Sequence, residues 1–192
     1  MRVCLYGASS PEITPEYIRL TEQLGEAMAA AGHSMVYGAG GAGLMGAAAR
    51  GMKRCGGHVT GVVPSFLQVD GILFEGCDEI IYTETMRERK QIMEDRADAF
   101  IVTPGGIGTY EEFFEIYTLK QLGRHKKPIV IFNPLGYYDP LLTLLQHTVE
   151  ERFMRPASLQ LYTVAVTPQQ VLEQLTLPGA AADIHETKFV ER

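Results

Sequence analysis

Two glycine-rich stretches hold the residues best suited to chemistry. Gly38-Ala39-Gly40-Gly41-Ala42-Gly43 and Pro104-Gly105-Gly106-Ile107-Gly108-Thr109 each follow a short apolar run and lead into a helical pattern. In the second stretch, three glycines at a strand end leave several backbone N–H groups free to converge on an anion, and the positive end of the following helix adds to that field. No Lys-Ser or Lys-Thr pair closes it, so triphosphate chemistry with magnesium is not indicated and a monophosphate is the expected guest. The first stretch matches G-x-G-x-x-G, the pattern of a dinucleotide-binding turn. That reading requires an acid about 20 residues on, at the end of the next strand. The next strand ends Val62-Val63-Pro64, and Asp70 arrives later, in a loop. A tight turn that lets strand and helix pack closely is the plain alternative.

Charged residues flank the second loop on both sides. Thr109 and Glu112 stand in the spacing of a capping box, which would make Glu112 structural, while its place beside an anion cradle would make it catalytic. Glu111 is adjacent on the same helix turn and points elsewhere, so one of the two carboxylates faces a ligand. Upstream, Thr85 to Met93 reads as a helix with Met86, Lys90, Met93 and Ala97 on one stripe and Arg89 at its border. Taken alone, this is a solvated charged face over two methionines. Its chain runs straight into the strand that ends at the second glycine loop, which offers a second reading. Arg89 and Lys90 could then reach that loop from a neighbouring position or across a subunit interface, Arg as a planar fork for phosphate or base and Lys as a compact charge.

The elements that must carry these residues follow from the apolar pattern. Short runs at Val3 to Tyr6, Ser34 to Tyr37, Val59 to Val63, Glu79 to Tyr82, Ala99 to Thr103, Ile129 to Phe132 and Thr163 to Val166 alternate with helical patterns. Alternation of this kind specifies an α/β domain, here a single doubly wound, Rossmann-like unit with a mainly parallel sheet and helices on both faces. Thr14 is placed to cap the first helix ahead of Pro15, and Gly32 to stop it. Helices are also expected from near Leu44, over Tyr110 to Leu122, and around Pro168 to Leu175. The catalytic and binding domain is placed at 1–177, with 178–192 as a C-terminal extension that loses apolar periodicity.

Composition narrows the partners. A net charge of -6 argues against a broad basic surface for nucleic acid or anionic membrane. The odd trio Cys4, Cys55 and Cys77 suits a reducing cytoplasm, and five scattered histidines give no metal site. No leader segment or run of about 20 apolar residues stands out.

Taken together, the motifs resemble the LOG family of cytokinin-activating phosphoribohydrolases, also labelled lysine decarboxylase-like. Its signatures M-R-x-R-K-x-x-M and P-G-G-x-G-T-x-x-E stand here as Met86 to Met93 and Pro104 to Glu112. The resemblance implies Arg89 and Glu112 as the catalytic pair. It also implies that Met86, Lys90, Gly105, Gly106, Ile107, Gly108, Thr109 and Thr118 bind substrate, with Ala8, Ser9, Gly40 and Gly41 in two earlier loops. Ala39 stands where the family commonly has glycine. The implied substrate is an N6-substituted AMP, with plain AMP as a second, and no cofactor. The family further implies a homodimer with shared sites, for which Phe113, Phe114, Ile116, Tyr117 and Leu119 could supply an apolar face. The decarboxylase label requires a Schiff-base lysine and an acidic partner for pyridoxal phosphate, and nothing in the chain nominates that pair. The alternative is a nucleotide or molybdenum-cofactor carrier that keeps the loops and only binds.

Overall fold

The computed structural model describes residues 1–67 and 71–177, so Asp70 and the extension expected at 178–192 lie outside it. Seven strands, β1 (Arg2–Tyr6), β2 (Ser34–Tyr37), β3 (Val59–Pro64), β4 (Glu79–Thr83), β5 (Ala99–Val102), β6 (Ile129–Phe132) and β7 (Thr163–Ala165), form one sheet. Their order is β4-β3-β2-β1-β5-β6-β7, and every pairing is parallel. Each apolar run noted in the sequence is one of these strands. The helices are α1 (Pro15–Ala30), α2 (Gly43–Arg54), α3 (Met86–Arg96), α4 (Ile107–Gln121), α5 (Asp139–Glu150) and α6 (Pro168–Leu175).

Side chains alternate across the sheet and so divide the core in two. Val3 and Leu5 of β1 pack with Leu24 and Met28 of α1, Met52 of α2 and Val171 of α6. Cys4 and Tyr6 face the other way, toward Met93 of α3, Phe113, Ile116 and Tyr117 of α4 and Leu145 of α5. Helices therefore cover both faces, which is why the central strands are apolar on both sides. The sheet grows outward in both directions from β1, which lies between β2 and β5. At that reversal the loops after β1 and β5 leave the carboxyl edge toward opposite faces and open a crevice between them.

Helix boundaries show local chemistry at work. Gly32 ends the first helical segment with φ +74°, whereas Thr14 sits at its N-cap without a side-chain hydrogen bond. The α1 and α2 helices meet backbone to backbone. A methyl on Gly25 would overlap the carbonyl of Ala48 and stand 2.9 Å from the Met52 nitrogen, and one on Gly51 would stand 3.0 Å from the Glu26 nitrogen. Arg50 pairs with Glu22 at 2.8 Å along the same seam.

Gly25→Ala sets two effects against each other: a helix-propensity gain of about 1 kcal/mol and overpacking against unyielding backbone of about 1–3 kcal/mol. Overpacking should prevail and lower the thermal midpoint by roughly 2–6 °C, measured by circular dichroism. A midpoint at or above the parent's would mean that the two helices separate freely.

Candidate active site

The second glycine loop forms an open cradle at the carboxyl edge of β5. Its helix begins at Ile107, three residues before the expected Tyr110, with Gly106 at the N-cap and no side-chain cap. Thr109 consequently lies inside the first turn, buried, and the capping box expected from Thr109 and Glu112 does not form. The box belongs instead to Thr85 and Glu88 at the start of α3, where Thr85 Oγ1 accepts from the Glu88 N–H at 3.1 Å. The same T-x-x-E spacing marks both places in the sequence. Only at Thr85 does the helix start where the hydroxyl can reach it.

The glycines of this loop divide by what surrounds them. A Cβ on Gly105 would meet Thr109 Cβ at 2.6 Å and the Ala8 nitrogen at 3.0 Å, so Gly105 is required by the chain's own packing. Gly106 and Gly108 are exposed, and a Cβ on either would meet nothing within 4 Å. Their backbone donors open the helix and have no intrahelical partner. The loop is held by Tyr137 and Tyr138, which sequence reading did not single out. Tyr138 OH donates to the Thr103 carbonyl at 2.6 Å and Tyr137 OH to the Gly105 carbonyl at 2.7 Å. Beside the cradle, Ala8, Thr14, Tyr17, Leu44, Gly106 and Tyr137 line a cavity of about 270 Å³.

The first glycine loop is arranged differently. Gly41 N–H donates to the Ile72 carbonyl at 2.8 Å, Phe74 N–H donates to the Ala39 carbonyl at 2.9 Å, and Gly40 bridges Leu73. The N-terminal donors of α2, on Leu44 and Met45, are taken by the Ala8 carbonyl at 2.8 and 3.2 Å. Gly43 has φ +59° and lies against the backbone of Ala8 to Ser10, so a side chain there has no room. The tight-turn alternative therefore describes this loop, and Gly40 and Gly41 are engaged within the chain. Ala39 adopts φ +63°, the left-handed region that glycine enters without strain. Ser9 is exposed beside Ala8.

Across the crevice, Arg89 and Glu112 join α3 to α4. Arg89 is 7% exposed and points into the protein, not along the border of a solvated face, while Met86 is the exposed member of the expected stripe. Nη1 of Arg89 donates to Glu112 Oε1 at 2.8 Å, and Nε donates to the Val62 carbonyl at 3.2 Å. Burial pushes the Glu112 carboxyl above its ordinary range, and Arg89 opposes that shift. A carboxylate so placed, in a dry environment yet held by a guanidinium, can answer positive charge that develops beside it.

Lys90 and Thr118 lie elsewhere on this pair of helices. The Lys90 ammonium pairs with Glu111 and, at 2.7 Å, with Glu115, so both spare carboxylates of α4 are turned to it. Burial acts against its charge, but the two carboxylates outweigh burial and raise its pKa. Thr118 is exposed and lies about 13 Å along the helix from Thr109. Of the five residues expected to form an apolar partner face, Phe113, Ile116 and Tyr117 are buried in this chain's own core. The exposed stripe runs instead through Ile107, Phe114, Thr118 and Leu122.

The family model described as "Possible lysine decarboxylase" matches residues 45–175. A cytokinin riboside 5'-monophosphate phosphoribohydrolase of Mycobacterium tuberculosis is 42% identical over 158 residues, covering 82% of this chain and 84% of that protein. One from Arabidopsis thaliana is 37% identical, covering 91% of this chain and 80% of that protein. Among solved structures, the molybdenum cofactor carrier protein of Chlamydomonas reinhardtii superposes with a TM-score of 0.68 at 20% identity, covering 91% of this chain and 96% of that one. At that identity the likeness is one of fold.

Glu94, one turn after Lys90, is raised to about 7 by burial first and by Glu115 next, with Lys90 and Lys127 acting against the rise. Its unfolded value is about 4.3, so between that pH and about 7 the folded chain holds a proton that the unfolded chain has lost. Stability therefore falls as pH rises through this window. Glu94→Gln removes the penalty and should be more stable than the parent at pH 8 by on the order of 1 kcal/mol, discounted for the residue's partial exposure, with the gain shrinking by about pH 4. Urea unfolding at both pH values measures it. A gain of equal size at both would exclude the carboxylate as its source.

Proposed function

The chain belongs to the LOG family, and we propose that it hydrolyses the N-glycosidic bond of a cytokinin riboside 5'-monophosphate, releasing the free base and ribose 5-phosphate. One observation carries this reading: an exposed glycine cradle and the buried carboxylate of Glu112, paired with Arg89 of α3, share the first turns of α4. Glu112 stands about 8 Å along α4 from Ile107, the scale of a ribose 5-phosphate. With the phosphate on the N–H groups of Gly106 to Thr109, the anomeric carbon is brought toward Glu112.

Cleavage of the bond from C1' to the base nitrogen withdraws electrons from the ribose and builds an oxocarbenium-like centre. The Glu112 carboxylate stabilises that charge, and the electron pair of the broken bond leaves with the base. Water then supplies its hydroxyl to C1' and its proton to the base. Arg89 is always charged, so it donates hydrogen bonds to phosphate or departing base and does not act as the acid. N6-substituted AMP is the proposed substrate and plain AMP a second, in a cytoplasmic setting. No cofactor enters this scheme.

A homodimer completes the proposal. The stripe Ile107, Phe114, Thr118 and Leu122 presents three apolar side chains, 82%, 37% and 62% exposed, around the threonine that the family resemblance expects to bind substrate. Thr118 is too far along α4 to meet a phosphate in its own cradle. A second copy laid on this stripe lets it reach the neighbouring site. The carrier alternative accounts for the cradle but gives the buried pair no task.

Base and ribose 5-phosphate are to be measured after incubation with AMP and with isopentenyladenosine monophosphate separately. Glu112→Gln should cut kcat by on the order of 10²-fold or more while KM changes little. Turnover undiminished in that variant would remove Glu112 from the chemistry, and nucleotide binding without release by the parent would favour a carrier. Phe114→Asp should shift the protein from dimer to monomer in sedimentation and lower activity with it. A parent that is monomeric and fully active would overturn the shared site.

A further inference from the structure

Gly38 opens the first glycine loop, yet its surroundings concern a cation. Its φ lies outside the left-handed region, so backbone conformation does not demand glycine there. Space does. A methyl on Gly38 would overlap Nη2 of Arg89, stand 3.1 Å from its Cζ, and reach Met45 Sδ at 3.4 Å. The Nη2 tip of the guanidinium thus abuts the end of β2, with Nε tied to Val62 and Nη1 to Glu112. Among the described residues no acceptor engages Nη2, so its place is set by the bare backbone of Gly38. Three neighbours therefore set the plane of Arg89: a carbonyl, a carboxylate and a bare backbone.

We propose that Gly38 is a positioning residue for the hydrolysis, leaving the room in which the Arg89 Nη2 sits so that the guanidinium keeps Nη1 on Glu112 and Nε on the Val62 carbonyl. It makes the glycine that opens G-x-G-x-x-G here a seat for a cation and not a phosphate contact. The inference rests on the hydrolase reading for its kinetic part and on geometry alone for its structural part.

The test is a double-mutant cycle of Gly38→Ala and Arg89→Ala, reading kcat, KM and thermal midpoint in all four proteins. In the parent, Gly38→Ala should lower kcat on the order of 10²-fold, as expected for displacement of a catalytic group by about 1 Å, and leave KM nearly unchanged. It should also lower the midpoint. In the Arg89→Ala background the same methyl meets no guanidinium, so the residual rate over long incubation and the midpoint should both stay put. A Gly38→Ala enzyme with parental kcat, or an equal loss in both backgrounds, overturns the proposal. Should Gly38→Ala fail to fold, a folded double variant supports the seat and an unfolded one overturns it. The midpoints require no substrate, so a protein that releases no base from any nucleotide would end the hydrolase reading while still deciding whether Gly38 seats Arg89.

Discussion

The ion pair between Arg89 and Glu112 is the constraint around which this end of the molecule is organised. Two charges taken out of water cost several kcal/mol each in desolvation, and their attraction offsets this only with good geometry and with hydrogen bonds for the remaining donors. The chain answers part of this requirement with the Nη1 contact at 2.8 Å and the Val62 carbonyl on Nε, while Nη2 has no acceptor among the described residues. That solution fixes distant parts relative to one another. β3 must present the Val62 carbonyl, β2 must end without a side chain, and α3 and α4 must lie on the same face. A surface pair would impose none of this. Its interior position keeps the carboxyl of Glu112 above its ordinary range, and the guanidinium draws it back toward ionisation.

The two glycine loops illustrate how similar composition serves different ends. In the first, left-handed Ala39 and Gly43, the bridge to Leu73 and the Ala8 carbonyl over α2 consume the backbone groups that an anion would need. In the second, Tyr137 and Tyr138 hold the loop by its carbonyls, those of Gly105 and Thr103. Among the described residues nothing accepts from the first donors of α4, because the loop is fixed through its carbonyls instead. Helix N-termini are equivalent in electrostatics, and what separates these two is whether the chain itself supplies the acceptor.

Much of this is legible in the sequence. Apolar runs with helical patterns between them located every strand of the sheet, because a strand buried on both faces has no polar alternation to obscure it. The second glycine loop stood out because three glycines ahead of a helix have few other uses. Less legible was the start of α4. Ile107 and Gly108 look like loop residues, and the helix nonetheless begins there because no side chain is needed at an N-cap that faces solvent. The apolar residues of α4 were legible as apolar but not as inward or outward. Phe113 and Phe114 are neighbours in sequence and about 100° apart around the helix, so one enters the core and the other meets solvent.

Periodicity and turn chemistry are local quantities, and sequence by itself determined what depends on them: the doubly wound sheet, the helices, and the stretches from which an anion cradle and a catalytic pair could come. Tertiary structure decided what depends on contacts between segments far apart in the chain. It turned Arg89 inward to Glu112 and Val62, gave Lys90 to the carboxylates of α4, closed the first glycine loop with residues 72–74, and left the second one open. No local pattern carries those outcomes, since each is settled by which backbone group or side chain arrives from another element to occupy the same few ångströms.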